Sequence, residues 1–144
     1  MHHPSMILVC HAADGHFADG DRSAVRHLLE HSTTIAAIEP CGPERYAITC
    51  GDGGQLAVYM PGLENHRSFH RIELSLLSNL TQDMLDLVFD LMAAGGFGLV
   101  KDLDDPHFIV TQPQQVGYFP WLPEPPLLVR SSHDLGYSIG QGYS

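Results

Sequence analysis

The stretch RYAITCGDGGQLAVYM, Arg45 to Met60, holds two strand-forming runs joined by Asp52-Gly53-Gly54. Glycine supplies the positive φ angles that tight hairpin turns require, so this stretch predicts an antiparallel pair, Arg45–Cys50 against Gln55–Met60. Upstream, TIAAIE (Thr34 to Glu39) reads as a further short strand ending at Pro40. Downstream, FHRIELSLL (Phe69 to Leu77) alternates Ile72, Leu74 and Leu76 against Arg71, Glu73 and Ser75, the pattern of a half-buried strand. MILVCH, Met6 to His11, is apolar throughout and reads as a buried first strand.

Two helices separate these runs. The first covers Arg22 to His31, with Asp19 or Asp21 as its cap and Val25, Leu28 and Leu29 on one apolar face. The second starts after Thr81, with Leu80 and Leu85 spaced as a hydrophobic staple. Leu85, Val88, Phe89 and Met92 form its expected core stripe, and Gly95-Gly96 ends it. FGLVKD and HFIVTQ follow as strands around Asp104-Asp105-Pro106, then LLVRS (Leu127 to Ser131) as a last strand. Ser132 starts a short terminal helix through about Ile139 that Gly136 weakens. Hairpins outnumber crossovers, which predicts an α+β fold: a largely antiparallel sheet with two main helices on one face and a short C-terminal helix. Residues 1–5 are an N-terminal extension, and 6–144 form a single domain.

Composition narrows the function. The 144 residues are 44 % hydrophobic and 17 % charged, as in a globular chain. Seven Lys and Arg oppose 17 Asp and Glu, a formal charge of −10. That charge disfavours nucleic acid and anionic membranes as partners and favours a basic protein. Cys10, Cys41 and Cys50 have no metal-type spacing and read as reduced, mostly buried thiols of a cytoplasmic protein. No stretch resembles a signal peptide or a membrane span.

Catalytic and metal motifs are incomplete. His27 and His31 lie four apart on the first helix, but the run is HLLEH, not the His-Glu-x-x-His of metalloproteases, and a third ligand is not apparent. With Asp19 or Asp21 they are the residues of an alternative, metal-dependent enzyme; a small-ligand module is another alternative. Asp19 to Glu30 has acids where a calcium loop needs them, yet Ala24 stands where that loop requires glycine. There is no nucleophile elbow, no cysteine signature and no phosphate-cradling glycine loop. The expectation is a non-enzyme without metal or cofactor.

Acid and aromatic placement is more informative. Asp83, Asp86 and Asp90 recur at three and four residues along the second helix, with no Lys or Arg in that helix to pair with them. Asp90 also sits toward the C-terminal end, where the helix dipole disfavours an acid. Asp102, Asp104 and Asp105 cluster in the following turn. QVGYFPWLPEPPLL, Gln115 to Leu128, then carries Pro120, Pro123, Pro125 and Pro126 with Tyr118, Phe119 and Trp121, the single tryptophan. Trp121 either pins the loop to the core or anchors a partner. Phe119 and Leu122 are expected inward, Tyr118 and Glu124 outward beside the acidic ridge. The candidate partner-binding set is therefore Asp83, Asp86, Asp90, Asp102, Asp104, Asp105, Tyr118, Trp121 and Glu124.

The stretch IELSLLSNLTQDMLDLVFDLMAAGGFGLVKDLDDPHFIV, Ile72 to Val110, is a strand, a capped acidic helix and a hairpin, about a quarter of the chain. It resembles the core of small acidic immunity proteins of bacterial toxin systems, those delivered by type VI or contact-dependent secretion. The resemblance implies a stoichiometric partner, a cognate effector or toxin with a basic surface. It also implies no cofactor, and action by occluding or distorting the toxin's active site.

Overall fold

The computed structural model describes residues 6–65, 67–100, 107–119, 121–122 and 124–143, with the side chains of the last four outside that description. The N-terminal extension 1–5 and the Asp102, Asp104 and Asp105 turn lie outside the described residues. The fold is α+β. Eight strands form one sheet: β1 (Met6–Cys10), β2 (Ile35–Gly42), β3 (Arg45–Cys50), β4 (Gln55–Tyr59), β5 (Arg71–Leu76), β6 (Phe97–Val100), β7 (Phe108–Val110) and β8 (Leu127–Leu128). Their order is β2-β3-β4-β5-β1-β6-β7-β8. All neighbours are antiparallel except β7 and β8, where Ile109 faces Leu127 in parallel.

The expected hairpin is present with Ala47 opposite Ala57 and Ile48 opposite Leu56. Gly53 takes a φ of 91° in its turn, the left-handed conformation that glycine adopts without steric cost. The interior position of β1 is set by its apolar sequence. β5 pairs with one side of it and β6 with the other, both antiparallel to it. The connection between those two strands is α2 (Gln82–Gly95), so β5, α2 and β6 form a crossover unit split by β1.

Among the described residues three helices cover one face: the two main ones expected and a C-terminal helix longer than expected. α1 (Arg22–His31) and α3 (Ser132–Tyr143) both pack on α2. The third helix runs longer than its Gly136 suggested because that glycine serves packing: a Cβ there would lie 2.8 Å from Leu85 Cδ1. The same packing corrects the expected α2 stripe. Met84, Leu87, Val88, Leu91 and Met92 are buried, whereas Leu85 and Phe89 are only partly covered. A helix pressed by a sheet below and a helix on either side buries a broader arc than one apolar stripe.

Both helix caps form as their residues predict. Asp21 accepts from the Ala24 amide at 3.0 Å, and Asp19 instead accepts from the Phe69 amide. Thr81 accepts from the Met84 amide, and Gly96, at φ 79°, closes α2. Beneath the helices, Leu8, Ile48, Leu56, Val58, Ile72, Leu74, Phe97 and Leu99 form the main core. Alternation sends Val9, Val100, Phe108 and Val110 to the opposite face. There Phe119, Val116, Tyr118 and Leu122 cover them. The covering segment begins with a 3-10 turn, Pro113–Tyr118, held by one buried side chain. Gln115 accepts from the Thr111 and Gln112 amides through Oε1 and donates to the Gly96 carbonyl through Nε2 at 3.1 Å.

At the other end of the sheet the β3–β4 turn is clipped to the start of α2. The Asp52 carboxylate accepts from the Asp83 amide at 3.0 Å, the Gly54 amide at 3.1 Å and the Thr81 hydroxyl at 2.9 Å. These donors hold the Asp52 carboxyl below its ordinary value, the Asp83 amide most of all. A depressed carboxylate contributes stability above its unfolded pKa, and that contribution fades as pH falls through the folded value. Asp52→Asn is therefore expected to lower Tm near about pH 7, the gap narrowing below about pH 4. Thermal unfolding followed by circular dichroism across that range checks it.

Candidate partner-binding surface

The most distinctive exposed surface is aromatic and centres on His11. β1 ends at Cys10, and His11 instead forms an isolated bridge with Phe17. A tight turn makes this possible: Gly15 N donates to Ala12 O, the Ala12 amide bonds His16 O, and Asp14 accepts from the His16 amide. Phe17 is thereby folded back beside His11, with ring centroids 5.1 Å apart. From β7 comes Phe108 at 5.8 Å, and from the proline-rich loop come Phe119 at 4.7 Å and Trp121 at 5.2 Å. His70, which precedes β5, stacks on Phe17 at 4.7 Å.

Phe108 and Phe119 are buried, but Trp121 is 51 % exposed and Phe17 64 % exposed. The loop thus does both jobs considered for it: Phe119 and Leu122 clasp the sheet as expected, while Trp121 keeps half its surface in water. Burial lowers the His11 pKa, and the nearby His70 lowers it further, so His11 is the neutral imidazole at neutral pH. Its Nδ1 is buried without a hydrogen-bond partner among the described residues. Phe17 and Trp121 thus both pack on a neutral, aromatic imidazole.

The acidic residues divide. Asp83 is engaged internally, accepting from the Asp52 amide at 2.9 Å while its own amide bonds the Asp52 carboxylate. Asp86 accepts only from Gln82, at 2.9 Å, among the described residues. Asp90 has its pKa raised, by partial burial first and by the Asp86 charge second. No Lys or Arg pairs with Asp86 or Asp90 among the described residues. Both belong to the helical layer, whereas Trp121 and Tyr118 lie on the opposite face of the sheet. The expectation that Tyr118 and Glu124 look out beside the acidic ridge is therefore corrected, because alternation puts the covering loop and α2 on opposite sides. Tyr118 is half-buried, and exposed Glu124 sits at the sheet edge beside Tyr137, lining a cleft of about 600 Å³.

Metal and nucleophile geometry adds little. His27 and His31 are exposed with ring centroids 4.4 Å apart, and His31 approaches Glu30 at 3.9 Å. Among the described residues no group of three His, Cys, Asp or Glu is placed to hold a metal ion. Burial raises the Cys10 thiol and pushes Cys50 up to about 11, so both stay protonated and unreactive at neutral pH. Cys41 is exposed, and all three cysteines are free. Among the described residues no helix is long and apolar enough to cross a membrane.

Phe17, His11 and His70 escaped sequence reasoning. The available signal was Asp14-Gly15, a turn pair that returns the chain toward the strand it has just left and delivers the next aromatic residue beside it. Comparison of the chain with protein-family models, curated proteins and solved structures gives no match.

Proposed function

We propose that this protein is a non-catalytic binding protein of the immunity type, which neutralises a basic effector by covering or distorting its active site. The observation that carries the reading is the exposure of Trp121 and Phe17, both packed on the His11 ring. Large, pre-ordered aromatic side chains half in water are the residue types that anchor protein interfaces. The net charge of −10 supports a basic partner, and the acidic stretch Ile72 to Val110 supports the immunity-type class.

The acidic face of α2 has a different job from the aromatic patch. Asp86 and Asp90 lie on the helical side, so they act on the partner at long range and speed its approach. Reversing them with Asp86→Lys and Asp90→Lys is expected to lower the association rate about tenfold at low salt, with little effect on the dissociation rate. The difference should shrink at high salt, where screening removes it. Stopped-flow binding to the purified partner checks it; an unchanged rate at low salt would reduce the ridge to a solvated helix face.

A further inference from the structure

A second site lies between α1 and the edge strand β2. Arg26, Leu29 and Glu30 of α1, Ile38 and Pro40 of β2, Tyr46 of β3, and Leu63 and Glu64 line a cleft of about 580 Å³. That is within the roughly 300–1,000 Å³ of formed ligand clefts. Its floor is apolar: Leu63 is buried, and Leu29, Ile38 and Tyr46 pack against the main core.

The rim is built and negative. Glu44, at the left-handed φ of 56°, points its carboxylate into the loop after β4, where it accepts from the Gly62 and Glu64 amides at 3.0 Å each and from Asn65 Nδ2 at 3.0 Å. Arg22 and Arg26 donate to backbone carbonyls of the same loop, Arg22 to Gly62 and Arg67, Arg26 to Leu63. Tyr46 donates its hydroxyl to Glu64. Arg26, the one Lys or Arg lining the cleft among the described residues, is thus held by a carbonyl. Glu30 and Glu64 are exposed at its mouth, and no Lys or Arg pairs with either among the described residues.

We propose that this cleft takes a lysine or arginine side chain of the basic partner, its stem on Leu29, Ile38 and Leu63 and its cationic head toward Glu30 and Glu64. The inference rests on the protein-binding reading and names a second contact within it. A second copy of the chain fits less well, because each copy carries −10. Pro40, opposite Tyr46, also deprives the edge of an amide where another strand would add. The cleft and the aromatic patch share one end of the sheet, where β1, β2 and β4 finish and β3 and β5 begin. The cleft lies on the helical face of the sheet, with Leu29, Ile38 and Tyr46 against the main core, and the aromatic patch on the opposite face, so the two are separate contacts near that end.

The test is an amide-resonance NMR titration of the full chain with acetyl-leucyl-arginine amide, and with acetyl-leucyl-glutamate amide as control. The basic peptide is expected to shift Leu29, Ile38, Leu63 and Glu64 saturably and the acidic one to leave them in place. Glu30→Gln with Glu64→Gln should weaken the basic peptide about fivefold, the remaining spectrum reporting an intact fold. No shift at those residues, equal response to the acidic peptide, or undiminished binding to the double variant would each overturn the cleft. The probe is a peptide, so such a failure leaves the aromatic interface standing. Conversely, binding of the peptide here would stand even if Trp121 proved irrelevant to the protein partner.

Discussion

Replacing Trp121 by alanine is expected to weaken the complex with the basic partner by roughly 2 kcal/mol or more, about thirtyfold in Kd. The loss should fall mainly on the dissociation rate, since the ring's contribution is short-range contact rather than charge. Stability should change little, because half of the side chain is already in water and its inner face rests on His11 and Phe119 at 5.2 and 5.4 Å. Isothermal titration against the purified partner, paired with thermal unfolding of the free variant, separates the two effects. An unchanged Kd would mean that the exposed indole is merely the outer side of a loop clasp.

The second large effect is on the fold. Gly62 has a φ of 93°, and a Cβ built there would lie 2.3 Å from the Ser68 carbonyl oxygen and 2.7 Å from its carbon. Both the backbone conformation and the contact penalise any side chain, and the contact is with main chain that cannot rotate away. The same residue donates to Glu44 and receives Arg22, so displacing it also loosens the rim of the α1–β2 cleft. Gly62→Ala is expected to cost roughly 2–5 kcal/mol, lowering Tm by about 10 °C for a chain of this size. Denaturant unfolding measures it. A variant as stable as the parent would show that this loop is not fixed as described.

Local chemistry carried much of the fold into legibility. The Asp52-Gly53-Gly54 turn, the Asp21 and Thr81 caps and the glycine stop of α2 all involve residues within a few positions of one another. The long-range arrangement was not legible in the same way. The parallel pairing of β7 with β8 spans a connection containing its own 3-10 turn. The rotation of the buried arc of α2 depends on α3, whose close approach relies on Gly136, a residue that reads locally as a helix breaker. The same division holds for the surface. Trp121 and the unpaired Asp86 and Asp90 stood out in the sequence, but the patch that gives Trp121 its meaning gathers positions 11, 17, 70, 108 and 119. Asp83 looked equal to Asp86 and Asp90 by spacing, yet its commitment to Asp52 is a contact across 31 residues.

The proposal that the chain is a stoichiometric inhibitor anchored by its aromatic patch is tested most directly by titrating it into a basic protein captured with it by pull-down from the source cell. The activity of that protein should fall linearly to zero at one equivalent of the parent chain, and Trp121→Ala should require a large excess. Undiminished activity at several equivalents, or equal inhibition by Trp121→Ala, would contradict it.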